Sequence, residues 1–234
     1  NLNLQLRVVG LANSKKMCFV EEGIDLDAWQ EQLSQGESLD LNLFHEKVTE
    51  LNYRNSIFVD NTASEHVAQE YGNYLKESVA VVTCNKIACS SSYTAYQELK
   101  ALSREYNAPF LFETNVGAGL PVIDTLKNLI TSGDTVRKIQ AVLSGRLNYI
   151  FNHYDGKRTF EAIVSDAGKE GYTEPDPRID LSGVDVMRKI LILARESGLY
   201  MELDAITNNS FLPNSCEDTT SVNEFMSAMK QDES

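Results

Sequence analysis

Ala80-Val81-Val82-Thr83, then SSYTAYQELKALSREY over residues 91–106, then Pro109-Phe110-Leu111-Phe112-Glu113, read as strand, helix and strand. A short β-branched run is followed by a long helix-compatible segment and a second apolar run. This is the pattern of a parallel crossover. Working back towards the N-terminus, Ser56–Val59 reads as a short buried strand, with Thr62 or Ser64 as an N-cap for the helix after it. Leu41, Phe44, Val48 and Leu51 recur at helical spacing, as do Leu26, Trp29 and Leu33, and Leu4–Leu11 reads as a further strand. The alternation predicts an α/β fold with a parallel sheet covered by helices, in which ligands sit beyond the carboxyl ends of the strands.

The pattern changes after Val116. Pro121 suits the first turn of a helix over 122–130, which Gly133 is placed to end. A strand is expected at 138–143, and helices at 147–153, 160–167 and 183–195. Residues 171–181 form a proline-rich loop, and a short helix falls near 223–229. Two domains follow, 1–115 and 116–234, the second expected to be α+β.

Composition narrows the functional classes. A net charge of -13 argues against a nucleic-acid partner, which needs clustered Lys and Arg. No apolar stretch reaches the length of a bilayer span. Cys18, Cys84, Cys89 and Cys216 show no paired spacing and no His cluster, so they read as reduced thiols of a cytoplasmic protein.

Several segments carry chemistry. Val116-Gly117-Ala118-Gly119 follows a strand, yet it makes a poor dinucleotide fingerprint because the third glycine position falls on Val122. Glu113, beside that glycine turn and its carbonyls, offers oxygen ligands suited to a hard cation; the bland alternative is a solvated carboxylate. Lys86 ends a strand where a phosphate, a carboxylate or a developing alkoxide would lie, against the alternative of a solvated loop lysine. The same position at other strand ends is held by Asn13-Ser14-Lys15-Lys16 and by Asp60-Asn61-Thr62. Gly171–Arg178, GYTEPDPR, is stiffened by two prolines and pre-positions Glu174, Asp176, Arg178 and Asp180 for a zwitterionic ligand; otherwise it is a rigid connector. Asp185 and Lys189 lie one turn apart. Most such pairs are surface bridges, but this helix is apolar nearly all round, and a half-buried lysine suits proton transfer.

VVTCNK, ETNVGAGLPVI, SGDTVRKIQAVLSGRLNYIFN, GYTEPDPR and DLSGVDVMRK occur together and in the order seen in homoserine dehydrogenases. The N-terminal GLANSKK and DLDAWQEQL resemble the dehydrogenase half of bifunctional aspartokinase–homoserine dehydrogenases. The resemblance implies a Rossmann-type sheet followed by a substrate-binding and dimerisation domain. It implies NADP- or NAD-dependent interconversion of L-homoserine and L-aspartate 4-semialdehyde, on the aspartate-derived route to threonine and methionine. It also implies a homo-oligomer and a fused aspartokinase half.

By matching motifs, Lys189 exchanges the proton with the substrate oxygen and Asp185 orients it. Glu174 binds the substrate ammonium, with Asp180 and Tyr172 in the same pocket, and Lys86 lies near cofactor and substrate. Asn13, Ser14, Lys15 and Thr62 contact the cofactor. Glu113 with the carbonyls of Val116, Ala118 and Leu120 matches a sodium site. Two residues depart from the family pattern: Arg146 replaces a small Ser or Thr, which sets up either a crowded pocket or a new ion pair, and Met187 replaces Ala. The resemblance starts at the second strand of the nucleotide fold. The chain alone is therefore expected to lack the phosphate-binding turn and the final strands, to bind NADP(H) poorly and to be inactive. The alternative for these 234 residues is a non-catalytic dimerising fragment.

Overall fold

The computed structural model describes residues 4–173, 176–216 and 219–232. In chain order, the first part holds β1 (Gly10–Ala12), β2 (Lys16–Phe19), α1 (Trp29–Ser34), β3 (Glu37–Ser38), α2 (Leu41–Leu51), β4 (Ile57–Asp60), α3 (Glu65–Gln69) and α4 (Tyr71–Lys76). β5 (Ala80–Thr83), α5 (Ile87–Ser90), α6 (Tyr93–Glu105) and β6 (Phe110–Leu111) follow. The rest is α7 (Thr114–Gly117), α8 (Val122–Thr131), α9 (Gly145–His153), α10 (Phe160–Lys169), α11 (Pro177–Leu181), α12 (Val184–Glu196) and α13 (Val222–Asp232).

Two compact units are built from this order. The first comprises residues 1–82 and 98–111, the second 83–97 and 112–234. The strand–helix–strand reading of 80–113 holds: β5 and β6 pair in parallel, Val81 opposite Phe110 and Val82 opposite Leu111, with β4 on the other side of β5. The N-terminal strand is corrected. Residues 4–9 have no regular secondary structure, and instead of joining this sheet Gly10–Ala12 pairs antiparallel with Lys16–Phe19, with β3 adding to β2 as a third strand. Asn13 is the cause, since its side chain accepts from the backbone N–H groups of Lys15 and Lys16, each at 2.8 Å, and turns the chain back.

The first unit is held by aromatic rings. Phe58 stacks on Tyr74 at 4.1 Å, and Tyr71 packs against Phe58 and Phe110. Tyr71 also donates its hydroxyl to the buried Asp60 at 2.5 Å. The second unit has a helical core of Ile150, Ile163, Val164, Ala167, Leu181, Phe225 and Met229, drawn from α9, α10, α11 and α13, with Cys216 added from the 3-10 turn Asn214–Cys216. Burying each larger apolar side chain contributes about 1.5–3 kcal/mol.

The strand expected at 138–143 does not form. Residues 134–144 have no regular secondary structure, and Ile139 and Val142 are exposed. β-propensity records fit to a pleated neighbour, and none of the described residues supplies one here. The proline-rich loop is shorter than expected, because Asp176 caps α11 by accepting from the Arg178 N–H, with Pro177 at the first helical position.

Candidate functional site

Helix α12 positions the central pair. Gly183 precedes it in the left-handed conformation at φ +76°, where a side chain would also meet the Asn208 amide oxygen at 3.0 Å. Leu191, Ile192 and Leu193 are buried, which fixes the helix's rotation. One turn apart, Asp185 and Lys189 form an ion pair of 2.8 Å, and Lys189 Nζ also donates to the Leu143 carbonyl at 2.7 Å. The Lys189 side chain is 15% exposed, so two oxygens hold an ammonium that bulk water largely does not reach.

A second lysine meets the same carboxylate. Lys86 Nζ lies 3.3 Å from Asp185 Oδ1. Its backbone is set by consecutive turns after β5: Asn85 N donates to Thr83 Oγ1 at 2.8 Å, and Ile87 N donates to Asn85 Oδ1 at 3.1 Å. The amide of the buried Asn115 lies 3.1 Å from the carbonyls of both Thr83 and Cys84, and with its NH2 turned towards them it donates to the two. Burial pushes the Asp185 carboxyl up. The Lys189 hydrogen bond and the Lys86 charge outweigh that push and hold it below the ordinary carboxylate value. Asp185 therefore stays ionised between two ammonium groups.

Lys86 and Lys189 stand on the wall of a cavity of about 780 Å³ whose other lining includes Val116, Leu126, Leu129, Val142 and Leu193. Such a site places proton donors beside an apolar space able to take a flat or aliphatic group.

The other expected residues lie as follows. Both Glu113 oxygens are engaged by the start of α8, accepting from Ile123 N and Asp124 N at 2.8 Å each, as suits an acid at a helix N-terminus. Among its expected partner carbonyls, that of Leu120 accepts from Val122 N, and Ala118 has φ +50°. Asp180, 7% exposed, pairs with Arg146 at 2.6 Å, so the new ion pair is the outcome that forms. Tyr172 is exposed and stacks on Tyr149 at 4.0 Å. Glu174 lies outside the described residues. In the first unit, Asn13 is committed to its turn, with Ser14 and Lys15 exposed on it. Thr62 takes part in the turn after β4, where its N–H donates to Asp60 and its hydroxyl accepts from Ser64 N.

Sequence reasoning passed over Asn115 and Arg195. Both are buried polar residues, and only the second gave a signal, as a charge on a nearly all-apolar helix.

A family model described as the homoserine dehydrogenase NAD binding domain matches residues 2–113, and one described as homoserine dehydrogenase matches residues 121–233. The chain belongs to the homoserine dehydrogenase family. It is 44% identical over 228 residues to bifunctional aspartokinase/homoserine dehydrogenase 1, chloroplastic, of Zea mays, covering 97% of this chain and 25% of that protein. The homoserine dehydrogenase of Schizosaccharomyces pombe is 42% identical over 180 residues, covering 74% of this chain and 48% of that one. A hyperthermophilic archaeal homoserine dehydrogenase in complex with NADPH superposes with a TM-score of 0.70 at 27% identity, covering 84% of this chain and 62% of the other. This family member thus spans about a quarter of the maize protein and about half of the fission-yeast one. Among its described residues, no helix is long and apolar enough to cross a membrane.

Proposed function

We propose that this chain carries the substrate-handling part of an NAD(P)-dependent homoserine dehydrogenase, which interconverts L-homoserine and L-aspartate 4-semialdehyde. The observation that carries the reading is the Lys189 ammonium, held by Asp185 and the Leu143 carbonyl on the wall of an apolar cavity. The apolar walls fit the face of a nicotinamide ring, and when bound that ring supplies or accepts the hydride. Lys189 gives its proton to the carbonyl oxygen as the aldehyde is reduced, and takes it back from the hydroxyl in the oxidation. Asp185 keeps the donor oriented, and Lys86 adds a second positive charge where negative charge develops on oxygen. Glu174, Asp180 and Tyr172 would hold the amino-acid end of the substrate. Asn13, Ser14, Lys15 and Thr62 would meet the nucleotide of NADP or NAD.

The same reading includes a sodium ion at Glu113 and the carbonyls of Val116, Ala118 and Leu120, although no step above runs through it; replacing sodium with choline in the assay tests that site. It further includes self-association through residues 116–234 and an aspartokinase half on the same polypeptide. The scattered spacing of the four cysteines supports a reducing compartment, and we place the protein in the cytoplasm.

The test is homoserine-dependent reduction of NADP or NAD by the full-length protein and by its Lys189→Ala variant. Loss of the proton donor should lower turnover about a hundred-fold or more, with NADPH binding nearly intact. Turnover like that of the wild type would sink the assignment.

A further inference from the structure

The C-terminal turn of α12 holds a buried cation that the proposed chemistry does not use. The Arg195 side chain is 0% exposed, a costly place for a guanidinium unless its donors are met. They are met from two segments, the turn at Cys89 and the pair Met201–Glu202. Nη1 donates to the Cys89 carbonyl at 2.9 Å, Nε to the Met201 carbonyl at 3.1 Å, and Nη2 to Glu202 at 2.9 Å. The other oxygen of Glu202 accepts from Tyr93 N, also at 2.9 Å, and so caps the start of α6. The guanidinium carbon lies 5.6 Å from the Tyr93 ring centre and 5.3 Å from that of Tyr96. Beside it, Tyr96 donates its hydroxyl to the buried Glu196, and Lys127 approaches the same carboxylate at 4.0 Å.

Arg195 and Glu202 thus fasten residues 89 and 93 to α12. Lys86 lies three residues before Cys89, at the start of α5, and its carbonyl accepts from Ser90 N and Ser90 Oγ. One short rigid turn therefore meets α12 at two points: Lys86 on Asp185 near the start of the helix, and the Cys89 carbonyl on Arg195 near its end. We propose that Arg195 and Glu202 are positioning residues which set where the Lys86 ammonium stands against Asp185. This rests on the reading of Lys86, Asp185 and Lys189 as the reactive group.

The charged groups facing Asp185 are Lys189 on its own helix and Lys86 before α5. Those on the other packed elements have different partners: Asp180 of α11 pairs with Arg146, Arg178 of α11 with Asp176, and Lys127 of α8 with Glu196. Glu113, preceding α7, caps α8. When Lys86 drifts, the Asp185 carboxyl should rise, since among the described residues the cations named above are held by other partners.

Glu202→Ala is the informative change, because the Glu202 side chain is 36% exposed and water can reach the donor it uncovers, while Glu202→Gln keeps the buried guanidinium bonded should the alanine variant fail to fold. In the full-length protein, kcat/KM for homoserine should fall on the order of ten-fold, as misplacement of a reacting group by less than an ångström does. The acidic limb of its pH profile should move upward, and Glu202→Gln, which keeps one acceptor, should restore part of both. In a Lys86→Met background the same change should move that limb no further, a non-additivity expected of residues acting through one contact. Hydrogen exchange over residues 84–93 should speed up in Glu202→Ala, which shows whether the turn has been released. An equal shift with and without Lys86, or a released turn with an unmoved pH profile, would overturn the proposal. A Lys86→Met enzyme with wild-type kinetics would instead overturn the reading of the reactive group, and the proposal with it.

Discussion

Arg146 donates to Asp180 across 2.6 Å, tying the first turn of α9 to α11. The cation sits at a helix N-terminus, where the backbone dipole disfavours it, and the nearly buried carboxylate offsets that. Three residues earlier in the chain, the Leu143 carbonyl holds Lys189, so the same short stretch serves two carboxylate–cation systems.

Arg146→Ala should therefore lower thermal stability by about 1 kcal/mol, a buried-pair loss reduced by solvent screening because the arginine is 43% exposed. It should also raise the KM for homoserine more than that for the nucleotide. Calorimetric melts and steady-state kinetics on full-length protein check both. An unchanged melt would make the pair incidental.

Glu174→Gln should raise the KM for homoserine while leaving the nucleotide KM nearly unchanged. A carboxylate facing an ammonium loses a charge-assisted bond when neutralised, typically worth about 1.5–3 kcal/mol. Equal effects on the two ligands would assign the proline-rich segment to holding the fold.

Tyr149 donates its hydroxyl to Glu170 at 2.5 Å, and this hydrogen bond, with some burial and the negative charge nearby, pushes the phenol up to about 12. A folded-state value above the unfolded one gives stability that is complete below the ordinary tyrosine range, near pH 10, and is lost as pH rises through about 12. The tyrosinate absorbance difference between wild type and Tyr149→Phe should titrate at that high value. Glu170→Gln should bring it down; an unchanged titration would refute the cause.

Much of this was legible in advance. A period of 3.6 gave α2 within its observed bounds and placed Asp185 and Lys189 on one face of α12. Its position at a strand end brought in Lys86, and the resemblance then set it near cofactor and substrate. What stayed hidden was non-local. Arg195 reads in sequence as an ordinary cation at a helix end, and its function as a clamp depends on Cys89 and Tyr93, about a hundred residues earlier. Leu4–Leu11 and Lys138–Leu143 have strand-like composition, but composition names no partner. Of the first, residues 4–9 form no strand and only its end is turned by Asn13 into β1, while the second remains unpaired among the described residues.

The 234-residue chain itself should bind NADPH weakly. Among the described residues, the connections leaving the parallel strands, 61–64 after β4, 84–86 after β5 and 112–113 after β6, contain no glycine. A pyrophosphate is ordinarily held at a helix start that a glycine turn opens to close backbone approach. Isothermal titration should give no saturable heat in the micromolar range. Tight binding would require another phosphate site, with Gly117 the first position to test.

The second unit takes residues 83–97 from within the span of the first, and this sets a rule for dividing the protein. A cut just after Glu113 would yield a C-terminal piece that keeps Asp185 and Lys189 but surrenders Lys86, Cys89, Tyr93 and Tyr96, leaving the guanidinium of Arg195 facing a gap. Neither half can then be studied as an autonomous module. The end of α12 is thus completed by a loop made about a hundred residues earlier, through the Cys89 carbonyl and the Tyr96 hydroxyl.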